Sequence, residues 1–256
     1  MSFEKMIRKP KFTFCLIHPT RKNVEEAINT RNLFTERAFK PDAIQHIFCY
    51  DENEPKINVK KLKEAQEEHP NFSLVRACDY AKTGGNAVAN WNAGSTYSRA
   101  YLTFAIADDL EPPDEWDKQI WTKIGYAYNG YYVISIDDSS DSWEKDTPYE
   151  TKLLPRHPLL TWKWLNNHRC IFSPLYNGVY CDNDLMLKAI YENAFMDLTD
   201  VKFLHKAQVL LHPKDKLTGN SKIMNSNEAY KVGKEIFKEQ EQVFKEKYHY
   251  NPYELK

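Results

Sequence analysis

Acidic side chains follow several of the strands that the hydrophobic pattern predicts, directly after each strand ends. Asp51 follows the second strand, Asp108-Asp109 the fourth and Asp137-Asp138 the next, whereas the first ends at the basic segment His18-Pro19-Thr20-Arg21. In an open parallel α/β sheet, ligands bind beyond the carboxyl ends of the strands. Carboxylates there suit a divalent cation that carries substrate phosphates. An aspartate after a strand can also simply cap a turn, and that alternative stays open for each position alone.

Several common nucleotide-binding and hydrolase motifs do not occur in the sequence. There is no GxxxxGK[ST] segment, no GxGxxG after the first strand and no GxSxG turn. These absences argue against a P-loop enzyme, a Rossmann dehydrogenase and an α/β-hydrolase.

Strand and helix signals alternate along the chain, most regularly over its first half. Short apolar, β-rich runs predict strands over residues 12–17, 44–50, 72–76, 101–107 and 131–136. Helical spacing predicts helices over residues 23–40, around Leu62, around Trp91, around Ile120 and over 185–194. Units this short favour right-handed βαβ crossovers and a mostly parallel sheet.

The second half of the chain is less regular. Residues 139–161 are rich in Asp, Ser and Pro and are predicted to form a long loop, which is usually functional or mobile. Strand-like pieces lie within residues 201–211. A charged segment over residues 225–248 carries an apolar stripe and is predicted to form a helix that packs back on the domain.

Composition sets the class of protein. The 256 residues are 42% hydrophobic and 28% charged, with a formal net charge of −1, so disorder and a global basic field are excluded. No apolar run approaches the roughly 18 residues of a membrane span. The N-terminal residues do not resemble a signal peptide, and the five cysteines form no CxxC pair. We therefore expect a cytoplasmic protein with reduced thiols, in the host cytoplasm if the source is viral.

The order of these motifs is that of a known group of enzymes. A first strand ending in HPTR, an acid after the second strand and IADDLEPPDEW after the fourth are followed by HPLLTW, FSPLYNGVYCDNDLMLKA and VKFLHKAQVLLHP. Over residues 12–215 the chain resembles the nucleotide-sugar glycosyltransferases of the GT-A fold, in particular the family-2-like group. The resemblance implies an α/β, Rossmann-like, mostly parallel central sheet flanked by helices, with a C-terminal helix.

The resemblance also implies a division of labour within one domain of residues 1–256. Residues 10–110 would form the nucleotide-sugar-binding half, 111–224 the acceptor half and 225–256 the C-terminal helix. Residues similar to the family's donor-binding positions are His18, Pro19, Thr20, Arg21, Asp51, Arg76, Asn86 and Asp108. Within that set, Asp51 would meet the base or ribose, and Asp108 the ribose or sugar.

In this family an Asp-x-Asp element after the fourth strand holds a divalent metal on the donor diphosphate. Here the two acids are adjacent, and we expect Asp109 to bind the metal, Mn²⁺ or Mg²⁺. A metal neutralises charge that builds on the leaving nucleoside diphosphate. The family also places a histidine near the last strand, a position that His205 or His212 could fill, and His212 is the favoured one of the two.

The family supplies a general base from an acidic pair that opens a helix. Asp182-Asn183-Asp184 matches that place, with one residue between the acids. Asp182 is the expected base, and Asp184 is either a second catalytic acid or a helix cap. A bound acceptor would desolvate such a carboxylate and raise its pKa.

The resulting hypothesis is a metal-dependent glycosyltransferase that moves a sugar from a nucleoside diphosphate sugar, a UDP-sugar first, to an acceptor hydroxyl with inversion. The acceptor could be a modified DNA base, a saccharide or a protein, and a retaining outcome stays open. Lysine clusters such as Lys60, Lys61 and Lys63 could contact phosphates, or could be solvated surface. The alternatives are a nucleotidyltransferase and a catalytically silent nucleotide- or sugar-binding module.

Overall fold

A seven-stranded sheet organises the protein. The computed structural model describes residues 10–20, 24–54, 57–69, 71–79, 86–138, 153–178, 180–206, 239 and 241–247. The strands lie in the order β3-β2-β1-β4-β7-β6-β8, and a separate two-stranded ribbon pairs β5 with β9. The strands are β1 Phe12–Pro19, β2 Ile44–Glu52, β3 Phe72–Asp79, β4 Ala100–Ala105, β5 Leu110–Glu111, β6 Val133–Asp137, β7 Leu159–Thr161, β8 Phe195–Lys202 and β9 Leu204–His205.

Helices flank the sheet and connect its strands. They are α1 Val24–Glu36, α2 Val59–Glu67, α3 Ala87–Ser95, α4 Trp116–Ile124, α5 Trp162–His168 and α6 Cys181–Tyr191, with short 3-10 turns at Pro41–Ala43 and Gly125–Asn129. Near the C-terminus, residues 241–247 are helical, and Phe244 is buried with its ring stacked on Tyr180. This part of the predicted C-terminal helix therefore packs on the domain as expected. Within the described residues, no helix is long and apolar enough to cross a bilayer.

The predicted α/β architecture with a mostly parallel sheet is confirmed. The pairs β1–β2, β1–β4, β2–β3 and β6–β8 are parallel, whereas β7 is antiparallel to both β4 and β6. The inserted strand β7 corrects the prediction of a loop up to residue 161. Its three residues are all buried, but a strand that short shows no periodicity in the sequence.

The strand prediction over residues 201–211 is also corrected. Most of β8 lies before it, at Phe195–Lys202, and only β9 falls wholly within its described part. The sequence FMDLTDVK does not alternate strictly, because β8 is an edge strand with several exposed positions. Helix α5 was not predicted, since its seven residues are too short for a clear helical period.

Both faces of the sheet are buried. Cys15 and Ile17 of β1 belong to one apolar cluster with Trp164, whereas Phe14 belongs to another with Trp116. Burial on both faces is typical of parallel strands and explains why their sequences are nearly continuous apolar runs.

Helix α3 approaches the sheet most closely at Gly94. A Cβ atom at this position would lie 2.3 Å from Sγ of Cys49 and 2.7 Å from Cγ2 of Ile17. These distances are too short for any side chain, so only glycine allows the helix to pack here. The contact matters for the site, because α3 also carries Asn86 and Asn90 at its first turn.

We predict that Gly94→Ala destabilises the protein although alanine favours helix formation. Overpacking costs about 1–3 kcal/mol, which exceeds the roughly 1 kcal/mol gained in helix propensity. Gly178→Ala is the matched control, because a Cβ there meets nothing within 4 Å, and it should change stability by less than about 0.5 kcal/mol. Urea unfolding measures both, and equal stability of the two variants would contradict the prediction.

Candidate active site

The carboxyl ends of the parallel strands bring the predicted acidic residues to one edge of the sheet. Asp51 lies at the end of β2, Asp108 follows β4 and Asp138 follows β6. His18 lies near the end of β1, between Asp51 and Asp108 in strand order. The edge is therefore lined by carboxylates from separate strands, as the sequence pattern indicated.

Asp108 is fixed at both its side chain and its backbone. His18 donates a hydrogen bond from Nε2 to Oδ1 of Asp108 at 2.8 Å, and the Thr30 hydroxyl donates to the Asp108 carbonyl. The His18 side chain is fully buried, whereas the Asp108 side chain is 25% exposed. His18 can therefore act on a ligand only through Asp108.

Asp109 pairs with His205 from the ribbon β5–β9. Leu110 of β5 lies opposite His205 of β9, which places the imidazole Nε2 3.1 Å from Oδ2 of Asp109. Burial acts to raise the pKa of Asp109, but the hydrogen bond from His205 and the charge of His205 are the main effects that outweigh it and lower that pKa. Asp109 is consequently an ionised acceptor at neutral pH.

His205 also belongs to a cluster of three side chains that could hold a metal ion. Asp138, His157 and His205 each offer an atom within 4.8 Å of the other two. Nδ1 of His157 donates to the Ala105 carbonyl at 3.2 Å, which leaves Nε2 with its lone pair when the ring is neutral. Burial, together with the charge of His205, lowers the pKa of His157 to about 4, so the ring is neutral at pH 7.

The arrangement around Asp138 fits a divalent cation. Oδ2 of Asp138 is buried, has no hydrogen-bond partner among the described residues and lies 4.0 Å from Nε2 of His157. Two acceptor atoms that face each other at this distance repel unless a cation or a donor lies between them. Arg156 neutralises only the other oxygen, Oδ1, at 2.7 Å. A mixed imidazole and carboxylate donor set suits Mn²⁺ and similar metals better than Mg²⁺.

Asp182 stands at the start of α6 and is half-buried. Desolvation raises the pKa of Asp182, the charge of Arg156 opposes this, and the charge of Asp138 adds to it. These charge effects show that Asp182 is near the Asp138–Arg156 pair. Its carboxylate is thus a stronger proton acceptor than an ordinary aspartate.

Asp184 is held differently. Successive helix residues are about 100° apart, so Asp182 and Asp184 point to nearly opposite sides of α6. Asp184 is buried, accepts a hydrogen bond from the Tyr176 hydroxyl at 3.2 Å and forms an ion pair with Lys247. It thereby connects α6 to the helical segment 241–247.

Some of the residues that are expected to bind the nucleotide are held by contacts that the structure describes. Buried Asp51 accepts a hydrogen bond from Asn90 Nδ2 at 3.0 Å. Asn86 caps α3 and contacts Asn177 at 2.7 Å. Oγ1 of Thr20 is buried without a hydrogen-bond partner among the described residues.

The remaining expected residues lie apart from this group or outside the described residues. Pro19 is half-buried at the end of β1. Arg76 is exposed on β3 and forms an ion pair with Glu52 at 2.7 Å. Arg21 and His212 lie outside the described residues, so of the two candidate histidines the structure describes only His205.

Sequence reasoning gave no role to several residues that the structure brings to the site. They are His46, Asn90, Arg156 and His157. His157 opens the HPLLTW segment and lies two residues before β7. The sequence does not predict that strand, so the position of His157 is only a weak signal. His46 lies inside an apolar strand, where a single histidine usually belongs to the core.

Comparison with known proteins adds the fold family. No family model and no curated protein matches the sequence. Among solved structures, S. aureus TarS 1–349 in complex with UDP has a TM-score of 0.58 at 14% identity, over 75% of this chain and 60% of that chain. The mannosyltransferase PcManGT from Pyrobaculum calidifontis, in complex with GDP-Man and Mn²⁺, has a TM-score of 0.52 at 10% identity, over 78% and 59%.

The chain has a GT-A-like glycosyltransferase fold. The same fold is found in TarS 1–349 in complex with UDP-GlcNAc, with a TM-score of 0.57 at 12% identity over 80% of this chain. The match spans about 60% of the length of these structures. At such low identity the GT-A-like fold is established by the likeness, and the chemistry has to be argued from the site.

We predict opposite stability effects for the two acids of α6. The pKa of Asp182 is higher in the folded protein than its unfolded value of about 3.9. The protonated side chain therefore stabilises the folded state fully below the unfolded pKa, and this stabilisation is lost as pH rises through the folded pKa. Asp182→Asn should therefore raise Tm at pH 7 and lose this advantage near pH 3.5.

Asp184→Asn is the matched comparison. It removes the buried charge that pairs with Lys247 and should lower stability by about 1–3 kcal/mol at pH 7. Thermal unfolding of both variants at two pH values tests the pair. A lower Tm for Asp182→Asn at pH 7 would contradict the assignment of Asp182 as a desolvated carboxylate with a raised pKa.

Proposed function

We propose that the protein is a metal-dependent glycosyltransferase that transfers a sugar from a nucleoside diphosphate sugar to an acceptor hydroxyl. The main support for the proposal is that two features occur at one edge of a GT-A-like sheet. One is the cluster Asp138, His157 and His205, which suits a cation, and the other is the carboxylate of Asp182, whose pKa is raised. The related fold in complexes with UDP, UDP-GlcNAc and GDP-Man supports a nucleotide-sugar donor. We take a UDP-sugar as the first donor to test.

Asp109 and His205, with Asp138 and His157 beside them, would hold the cation. A divalent metal in this place supplies charge neutralisation for the leaving diphosphate. Mn²⁺ is the first metal to test, because imidazole nitrogens take part and the PcManGT complex contains Mn²⁺. The set combines residues 109, 138, 157 and 205, so the proposed donor half over 10–110 and acceptor half over 111–224 both contribute to it.

The donor would lie along β1 and β2. Asp51, oriented by Asn90, can accept hydrogen bonds from a ribose or a base. The Thr20 hydroxyl, which is buried without a partner among the described residues, can bond a ligand at the end of β1. Asp108, with one oxygen held by His18, presents its exposed part to the ribose or sugar.

Asp182 would accept the proton of the acceptor hydroxyl. The raised pKa increases its basicity, and Arg156 keeps enough of it ionised near neutral pH to serve as a base. A separate base opposite the leaving group is what an inverting displacement requires. Asp184 is committed to Tyr176 and Lys247, so we assign it the structural role and Asp182 the catalytic one.

The acceptor remains a hydroxyl of a saccharide, a protein or a modified DNA base. Of the lysines considered for phosphate contacts, Lys61 pairs with Glu25 and Lys60 lies 3.7 Å from Glu64. Acids therefore accompany part of that cluster, and the described surface gives a nucleic acid acceptor no preference over the others.

We predict that Asp182→Asn strongly lowers the rate of sugar transfer. Release of nucleoside diphosphate from UDP-sugars and GDP-sugars with Mn²⁺ measures turnover, with water or a simple sugar as acceptor. Loss of a general base lowers the rate about 10²–10⁴-fold. Asp184→Asn is the control and should keep its turnover at temperatures where it is folded. Full activity of Asp182→Asn would remove Asp182 from the mechanism.

The pH dependence gives an independent prediction. The base must be ionised, so kcat should fall as pH decreases, with a midpoint above the ordinary aspartate pKa of about 3.9. Arg156 lowers the pKa of Asp182, so Arg156→Gln should move this midpoint to higher pH. A midpoint that is unchanged in Arg156→Gln would show that another group controls the acidic limb.

Metal binding tests the cluster directly. Isothermal titration with Mn²⁺ should show weaker binding for His157→Asn and Asp138→Asn, by roughly 10–100-fold. His168→Asn is a suitable control, because His168 pairs with Glu192 outside the cluster. Equal Mn²⁺ affinity in all of these proteins would exclude the proposed cation site.

A further inference from the structure

A chain of buried side chains leads away from the proposed donor site. Behind Asp108, Nδ1 of His18 lies 3.1 Å from Nε2 of His46, and both rings are buried. His46 lies near the start of β2, opposite Leu16 of the neighbouring strand. Two histidines side by side in the core are costly unless each nitrogen has a suitable partner.

The direction of one hydrogen bond in this chain is fixed by its acceptor. The Asp108 carboxylate only accepts, so Nε2 of His18 carries a hydrogen. One hydrogen lies between Nδ1 of His18 and Nε2 of His46, and either imidazole can donate it. Burial is the main cause that lowers the pKa of His46 well below its usual range, which keeps that ring neutral.

Both rings lie among aromatic side chains. The His18 ring lies 4.6 Å from the ring of Phe48, and the His46 ring is stacked on Phe72 at 6.0 Å. The Asp108 backbone is held independently by the hydroxyl of Thr30. The only part of Asp108 that depends on the two histidines is therefore the orientation of its carboxylate.

We propose that His46 is a positioning residue for the donor site: through its hydrogen bond with His18, it fixes the ring that orients the Asp108 carboxylate toward a nucleoside diphosphate sugar. This inference rests on the proposed function. The inference extends the donor site to a buried residue near the start of β2 that would not contact the ligand itself.

The hydrogen bonds can be measured without any ligand. In protein labelled with ¹⁵N at histidine, NMR should show a scalar coupling across the hydrogen bond between Nε2 of His46 and Nδ1 of His18. The His18 shifts should report a protonated Nε2. Absence of the coupling, or an unprotonated Nε2 in His18, overturns the inference whatever the enzyme binds.

Donor binding tests the consequence. His46→Leu removes the hydrogen-bond partner of His18 and should weaken nucleotide-sugar binding roughly tenfold, whereas His46→Gln, whose amide can still form a hydrogen bond, should restore most of it. Phe72→Leu is the packing control, because it removes the ring stacked on His46 but keeps the hydrogen bond. It should bind the donor like wild type.

The outcomes separate the two claims. If wild type binds no nucleotide sugar, the proposed function is overturned and this inference with it, even when the coupling is present. If wild type binds and a folded His46→Leu protein binds equally well, His46 has no positioning role. Should His46→Leu fail to fold, the decision passes to His46→Gln and Phe72→Leu. Weaker binding by Phe72→Leu than by His46→Gln would identify packing as the cause and overturn the inference.

Discussion

The close approach of carboxylates at one edge of the sheet is the constraint on which the site depends. Like charges in a partly buried setting repel strongly, so each acid needs a partner of its own. Asp51 has Asn90, Asp108 has His18, and Asp109 has His205. Asp138 has Arg156 on one oxygen only, and this incomplete pairing points to a cation.

The fold supplies these partners from distant parts of the chain. Parallel strands deliver the acids to a common edge, but the neutralising groups arrive by other routes. His205 comes on the small ribbon β5–β9, and Arg156 and His157 precede the antiparallel strand β7. Helix α3 carries Asn90 and can pack against the sheet only because residue 94 is a glycine. Loss of any one of these elements would leave an acid without its partner.

The sequence was informative where one local rule determines the outcome. An acid after a strand of a parallel sheet must lie at the carboxyl edge, so the amino-acid pattern alone predicts the places of Asp51, Asp108 and Asp109. Pairings between distant segments follow no local rule. The contacts of His46 with His18 and of Asp184 with Lys247 depend on register and helix rotation, which a single sequence does not encode in a readable pattern.

The central claim is that the cation-suited edge binds a nucleoside diphosphate, and thermal unfolding with a nucleotide panel tests it most directly. Wild type and Asp109→Asn would be heated with UDP, GDP and their sugars, each with and without Mn²⁺. A ligand at 100 times its Kd stabilises the folded state by about 2.7 kcal/mol. The account predicts a metal-dependent rise in Tm for one nucleotide that is lost in Asp109→Asn. No rise with any nucleotide, or an equal rise in both proteins, would contradict it.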